Sequence, residues 1–271
     1  MRSTKVEAFA EGNGLPVDAN DGERAIAALV AKTTIAPAML GPADLHDVTM
    51  RFGTTAAVDI TGYLYSFHFI NRIADLVGIQ SDLPLIQPHW AWLRRMGVRL
   101  QGAMMRRGMD LSRQEVSVDV DAAVNRLSSF VGTLPRGFVS LHNAPNVAGI
   151  LDTVCDVVSC LNQEMFDRVG DLVRSALPAN EEEATGIHTR PADPLEALVF
   201  VGTRYPARTT DDLVARVRQS EGLDDRGVLD LFYSISVHNG LERMRRLLAE
   251  PVVVMRRGEV ATTHTVTATG R

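Results

Sequence analysis

The sequence repeats itself at a spacing of about 169 residues, and this repeat constrains the fold more than any other feature of the chain. Residues 28–53 align without a gap on residues 197–222, and after a one-residue gap the match continues at a spacing of 168. The identical pairs are Ala28/Ala197, Leu29/Leu198, Val30/Val199, Thr34/Thr203, Pro37/Pro206, Ala38/Ala207, Val48/Val217, Gly53/Gly222, Tyr65/Tyr233, Ser66/Ser234 and Asn71/Asn239. Chance is the competing explanation for the Ala, Leu and Val matches. Because proline, glycine and a Tyr-Ser pair match in one frame, we interpret the pattern as an internal duplication.

Each copy reads as a helix, a Thr-x-x-Pro turn, a second helix, a glycine and a long helix. One such unit cannot bury its own apolar face, so we expect two units to pack pseudo-symmetrically around a shared helical core. The predicted organisation is a flexible arm at residues 1–20, a first helical repeat at 21–110, a second repeat with extra helices at 111–250, and an extended tail at 251–271.

The apolar periodicity predicts an all-α chain. Thr209, followed by Asp212, is typical of a helix N-cap. Arg243, Arg245 and Arg246 form one of several basic clusters interpreted as solvated helix faces. The tail is interpreted either as a β-hairpin or as a frayed terminus. The predicted helices span residues 21–32, 42–52, 54–77, 89–107, 119–131, 146–177 (one helix or two), 193–201, 209–219 and 224–249.

Composition excludes several classes of function. A formal charge of −5 and a pI near 5.8 give no reason to expect a nucleic-acid partner. Charged residues near the start argue against a secretory signal, and no apolar run approaches the roughly 20 residues needed to span a bilayer. Two cysteines argue against a disulfide framework and for the cytoplasm. There is no P-loop, Rossmann glycine pattern or GxSxG motif, so no cofactor is predicted.

Residues 67–79 resemble the closing helix of the alkylhydroperoxidase D/carboxymuconolactone decarboxylase superfamily, which runs apolar–Asn–x–x–Asn–Arg–apolar–Ala and ends at a glycine. His68 stands at the first Asn position, and Asn71 and Arg72 match. The second copy keeps Asn239 but has Gly240 in place of the arginine. The resemblance covers residues 25–80 and 160–249, and it implies the duplicated helical fold of that superfamily and a homo-oligomer.

The redox motif of that superfamily, Cys-x-x-Cys-x-x-x-His, is missing. Counted back from His188, the cysteine positions are Glu181 and Ala184, so the disulfide chemistry of the family cannot take place there. Cys155 and Cys160 are five residues apart, on different faces of a helix. We interpret both as small buried residues, and a lone reactive thiol at either is the alternative.

The long helix of the first copy carries the strongest candidate chemistry. Tyr65, His68 and Arg72 share one helix face by their spacing, and together they could bind a small anion and move a proton. The structural alternative is an ion pair between Arg72 and Asp75, with His68 as a hydrogen-bonded core residue.

The second copy places His238 four residues before Glu242, a spacing that predicts contact between imidazole and carboxylate. It is weak evidence for a metal pair. Glu181 begins a run of three glutamates that is usually a solvated acidic loop. The candidate catalytic residues are His68, Tyr65, Arg72, His238, Glu242 and His188, and the candidate substrate-binding residues are Tyr233, Asn71, Asn239 and Glu181.

The leading functional hypothesis is a cysteine-independent enzyme of the carboxymuconolactone decarboxylase-like group. It would act on a small organic acid or carbonyl compound, as a lyase or isomerase, by general acid–base chemistry in biosynthesis or catabolism. One alternative is a thiol peroxidase that uses Cys155 or Cys160. Another is a non-catalytic helical scaffold that serves binding or assembly.

Overall fold

The computed structural model of the protein describes residues 19–77, 118–185 and 190–252. Helices cover about 81% of these residues, and no strand occurs among them, which confirms the predicted all-α fold. Most of the predicted N-terminal arm, the predicted helix at 89–107, His188 and the predicted hairpin of the tail lie outside the described residues. None of the helices within the described ranges is long and apolar enough to cross a membrane.

Nine α-helices occur in the described part of the chain. In order, they are α1 (Asp21–Ile35), α2 (His46–Val77), α3 (Val120–Val131), α4 (Pro145–Val158), α5 (Gln163–Ala176), α6 (Glu181–Thr185), α7 (Pro194–Arg204), α8 (Asp211–Glu221) and α9 (Asp225–Leu247), joined in part by the 3₁₀-helices Pro37–Met39, Pro42–Leu45, Arg136–Asn143 and Pro206–Arg208. The predicted segment at 146–177 is therefore two helices, and Asn162 caps the second of them.

Local sequence explains where several helices begin. Asn20 and Glu23 form a capping box at the start of α1, with both hydrogen bonds at 2.9 Å. The predicted N-cap at Thr209 is wrong by one residue, because the hydroxyl of Thr210 accepts from the Leu213 amide. The acidic run that was expected to be a solvated loop forms the short helix α6, since the Asn180 side chain accepts from the amide of Glu183.

The two halves share their local backbone geometry. Ala36 (φ −135°, ψ 52°) and Tyr205 (φ −140°, ψ 55°) lie at the repeat spacing, and each ends a helix and precedes a 3₁₀-helix that starts with proline. Gly53 and Gly222, also at the repeat spacing, both have positive φ, of 84° and 65°. Gly53 interrupts α2, as Gly222 ends α8, because an L-residue with a side chain rarely adopts this conformation. These matches support the hypothesis of an internal duplication.

Helices α2 and α9 cross at the centre of the molecule. A Cβ on Gly240 of α9 would lie 2.8 Å from Cδ2 of Tyr65 on α2, so only glycine permits this approach. The apolar core forms two clusters, and each takes residues from both halves. One contains Leu29, Val58 and Leu241, and the other contains Leu76, Leu198 and Ile235. Each half therefore completes the core of the other.

Candidate functional site

A cavity of about 270 Å³ lies where the ends of α1 and α7 meet the C-terminal half of α2. Polar side chains of α2 form one wall. Its lining includes Thr34, Phe67, His68, Asn71, Arg72, Asp75, Ala184, Thr203 and Arg204. Three of the candidate site residues, His68, Asn71 and Arg72, are therefore brought to one cavity between the two halves.

Arg72 fixes the proton position on the imidazole of His68. Its Nη1 lies 2.9 Å from Nδ1 of His68. A guanidinium only donates hydrogen bonds, so Nδ1 accepts and the imidazole proton is on Nε2. The Nε2 atom is buried and has no hydrogen-bond partner among the described residues. His68 is therefore a cavity-lining imidazole with an unused N–H donor.

The surroundings of His68 keep its imidazole neutral. Burial lowers its pKa well below the ordinary value, and the positive charges of Arg243 and Arg72 lower it further. A neutral imidazole with its proton on Nε2 can donate a hydrogen bond to a substrate oxygen. It cannot take a proton at Nδ1, which is already occupied by Arg72.

Arg72 also joins the two halves of the molecule. Its Nη2 donates to the carbonyl oxygen of Thr203, at the end of α7, over 2.9 Å. Burial lowers the pKa of Arg72 to about 10, against the opposing effect of the Asp75 carboxylate, so the side chain is a cation at neutral pH. Arg72 and Asp75 form no ion pair. The interpretation of Arg72 as half of a structural ion pair with Asp75 is therefore wrong.

A second buried arginine lies close enough to influence this site. The side chain of Arg243 is 1% exposed, so it is wrong to place it on a solvated helix face. Its Nε donates to the carbonyl oxygen of Thr33 over 2.8 Å, and its Nη1 donates to the Asn239 carbonyl and side-chain oxygens. Burial and the charges of Arg72 and Arg246 lower its pKa. Asn239 lies four residues before Arg243 on the same helix, so its side chain can accept from the guanidinium. This spacing is the one local signal in the sequence that Arg243 could be buried.

Tyr65 does not share the cavity with His68 and Arg72. All three side chains are buried, as their common helix face predicts, but Tyr65 is absent from the described lining. Its ring stacks on Phe69 with centroids 6.3 Å apart, and its hydroxyl has no hydrogen-bond partner. Burial, and then the charge of Cys155, raise the pKa of Tyr65. The predicted role of Tyr65 beside His68 is therefore wrong.

The predicted contact between His238 and Glu242 is also wrong. The Nε2 atom of His238 lies 2.9 Å from the carbonyl oxygen of Phe166, and its Nδ1 has no partner. Glu242 instead accepts from Arg174 over 3.2 Å. Helix α5 packs against α9 at this level and supplies a partner to each side chain, and Glu242 also pairs with Arg245 of its own helix over 3.6 Å. Burial lowers the pKa of His238 to about 4.

The remaining candidates are dispersed. Asn239 donates to Thr203 and to the carbonyl of Ile235, so its amide holds helices together. Tyr233 lies against the ring of Phe69, with centroids 6.2 Å apart. Glu181 is exposed on α6, whereas Ala184 lines the cavity.

The two cysteines do not form a redox pair. Cys155 is buried, Cys160 is exposed, and both are free thiols. Burial raises the pKa of Cys155 to about 11, so its reactive thiolate is scarce at neutral pH.

A larger depression of about 570 Å³ lies between α3 and the 3₁₀-helix Arg136–Asn143. Its titratable side chains are those of Asp121 and His142, which are 79% and 50% exposed. Water screens such groups, so they have little influence on a ligand. The cavity at His68 is smaller, and Asn71 and Asp75 in its lining are exposed. Its His68 and Arg72 side chains are buried, however, and each has a hydrogen-bond donor that no described residue accepts.

Comparison with models of known protein families, with curated proteins and with solved structures finds no match to this chain.

Proposed function

We propose that this chain is a cysteine-independent enzyme that acts on a small organic acid or carbonyl compound by general acid–base chemistry. The cavity of His68 and Arg72 is its site. The observation that carries the proposal is the unpaired, buried Nε2–H of His68 beside the guanidinium of Arg72. Such donors stabilise negative charge on oxygen most strongly where water is excluded. The resemblance to the carboxymuconolactone decarboxylase group points to the same substrate class.

The proposed reaction begins with proton abstraction next to a carbonyl group. Asp75 is the one carboxylate among the described residues that line the cavity, and it accepts the proton as the C–H bond breaks. The electron pair of that bond moves to form an enolate, whose oxygen accepts the Nε2–H hydrogen bond of His68. The carboxylate of the substrate pairs with Arg72. Return of the proton to the same carbon or to a neighbouring one gives exchange or isomerisation.

Two features speak against the thiol-peroxidase alternative. The thiol of Cys155 is buried with a raised pKa, and the exposed Cys160 has no second thiol beside it. Cys160 instead contacts the carbonyl of Asp156 and the hydroxyl of Ser159. A peroxidase of this superfamily needs an activated thiolate and a resolving partner.

Proton NMR in D₂O tests the proposal directly. The wild-type protein is incubated with a panel of small oxo and unsaturated acids, and the loss of C–H signals next to carbonyl groups is followed. The matched variant Cys155→Ala/Cys160→Ser retains the exchange, and Asp75→Asn loses it by about 100-fold or more. Loss of activity in the thiol-free variant would favour the peroxidase. Absence of exchange or conversion across the panel in the wild type would leave the scaffold hypothesis.

A further inference from the structure

Arg72 and Arg243 bring two positive charges into the protein interior, and no carboxylate of the described residues forms a salt bridge with either of them. Their side chains are 9% and 1% exposed, and they donate only to an imidazole, an amide oxygen and backbone carbonyls. Burial of a guanidinium without a countercharge costs several kcal/mol. The neighbouring Arg204 differs, because it pairs with Glu183 over 3.1 Å. The region therefore carries an excess of buried positive charge.

The same region holds unused hydrogen-bond donors. Nε of Arg72, Nη2 of Arg243 and Nε2 of His68 are buried N–H groups for which the described parts of the chain supply no acceptor. Folded proteins leave few buried polar groups unpaired. All three groups are donors, so the group that would satisfy them carries acceptor oxygens. Arg72 and His68 both line the cavity, which provides the space for such a group.

The charges around the cavity limit the charge of its ligand. Asp75 is the carboxylate that faces Arg72, and it raises the pKa of that arginine. Arg72 lines the cavity, and the guanidiniums of Arg243 and Arg246 add positive charge near it. One carboxylate leaves this region with an excess of positive charge, which a monoanion reduces and a neutral molecule does not.

The imidazole of His68 adds a requirement for a hydrogen-bond acceptor at a second position in the ligand. Because Arg72 donates to Nδ1, His68 can offer the cavity only a hydrogen-bond donor. When the carboxylate of a ligand pairs with Arg72, a carbonyl oxygen elsewhere in the same ligand can accept from this neutral N–H. We infer that the cavity binds the monoanion of a small oxo acid, whose carboxylate pairs with Arg72 and whose carbonyl oxygen accepts from Nε2 of His68. Arg72 is thus also the positioning residue that holds His68 in one tautomer. This inference rests on the proposed function for its site, but binding is measurable without turnover.

Calorimetric titration of the full chain with pyruvate tests the ligand class. Methyl pyruvate lacks the negative charge, and acetate lacks the carbonyl oxygen. We expect pyruvate to bind about tenfold or more tightly than either, because a hydrogen bond to a charged group contributes about 1.5–3 kcal/mol. Equal affinity for methyl pyruvate, or no affinity for pyruvate, would overturn the inference. Inorganic phosphate that binds as tightly as pyruvate would also contradict it. Pyruvate binding without any exchange would instead contradict only the proposed function.

A second measurement reads the tautomer in the wild-type protein and needs a variant only to assign the signals. Histidine ¹⁵N–¹H correlation spectra of the wild type report the tautomer of His68, whose signals are assigned by their loss in His68→Gln. The charged groups that face this imidazole are Arg72, Arg243 and the cavity residues Asp75 and Arg204. We expect the neutral Nε2–H form at neutral pH and at the ordinary pKa of a histidine, and a shift of Nε2 alone when pyruvate is added. An imidazolium, or a proton on Nδ1, would refute the assignment.

Discussion

Gly240 lies so close to Tyr65 that a side chain at position 240 would meet both the ring and the backbone of α2. Its Cβ would be 2.8 Å from Cδ2 and 3.0 Å from the carbonyl oxygen of Tyr65. The first copy has Arg72 at the position that corresponds to Gly240. Glycine at position 240 therefore has a steric reason, because an arginine there would separate the two long helices.

We expect Gly240→Ala to lower the free energy of unfolding by about 1–3 kcal/mol, the usual cost of overpacking. Urea unfolding measures the change. Gly149→Ala is the matched control within helix α4, where the added Cβ meets only a methyl group of Val118, at 3.2 Å. Alanine favours a helix interior by about 1 kcal/mol, so the control keeps or gains stability. Equal stability of the two variants would show that the helices do not cross as described.

We expect the free energy of unfolding to decrease as the pH is lowered, because His238 is buried as a neutral imidazole. Its pKa is about 4 in the folded protein and 6.5 in the unfolded chain. The unfolded state therefore binds a proton first, and stability is lost as pH falls from about 6.5 towards 4. Between pH 7 and pH 5, the titration of His238 alone lowers the free energy of unfolding by about 2 kcal/mol.

The matched variant for this prediction is His238→Gln, whose amide can still donate to the carbonyl of Phe166. Urea unfolding at the two pH values should show that the variant loses about 2 kcal/mol less than the wild type. The charged neighbours Arg174, Arg245 and Asp171 are unchanged between the two proteins, so their own titration cancels in the comparison. Identical losses would mean that His238 is not buried and neutral.

We expect one of the two thiols to react rapidly with a disulfide reagent while the protein is folded. Cys160 is exposed, whereas Cys155 is buried and its pKa is raised to about 11. A chromogenic disulfide reagent should therefore titrate one equivalent rapidly and the second only after denaturation. Cys160→Ser removes the rapid phase, and Cys155→Ala leaves it unchanged. Rapid reaction of Cys155 in the folded protein would revive the peroxidase hypothesis.

Two substitutions at His68 separate a hydrogen-bond donor from a base. The side chain of glutamine offers a neutral N–H but cannot exchange a proton, whereas leucine offers neither. We expect His68→Leu to lose about 100-fold or more in kcat/KM, and His68→Gln to remain within about tenfold of the wild type. If both variants are equally inactive, His68 transfers protons itself, and its assigned role is wrong.

Features that depend on neighbours in sequence were predictable. The capping residues of α1, the break at Gly53 and the burial of Tyr65, His68 and Arg72 follow from local spacing and from glycine stereochemistry. The helical period places Tyr65, His68 and Arg72 on the face that packs inward, whereas Asn71 and Asp75 of the same helix are exposed. It was less predictable which of these polar residues lines the cavity, because that depends on which helix packs against each of them.

Partners distant in sequence were not predictable. In the repeat, Thr34 corresponds to Thr203, and both lie at the end of a helix. The repeat did not reveal that each of these two helix ends binds an arginine from the opposite half. Arg72 of the first half donates to the Thr203 carbonyl, and Arg243 of the second half donates to that of Thr33. Positive side chains suit the C-terminal carbonyls of helices, but only tertiary packing decides which helix supplies them.

The central claim is that the reaction takes place in the cavity between the two halves. Ala184 lines that cavity, and Ala122 is exposed on α3, so the same enlargement can be made at both positions. The most direct test is the rate of proton exchange by Ala184→Leu and Ala122→Leu, on an organic acid that the wild type exchanges. We expect Ala184→Leu to exchange protons about 100-fold or more slowly than the wild type, and Ala122→Leu to keep the wild-type rate. Circular dichroism should show that Ala184→Leu remains folded. A wild-type rate in Ala184→Leu would place the chemistry elsewhere and contradict the account.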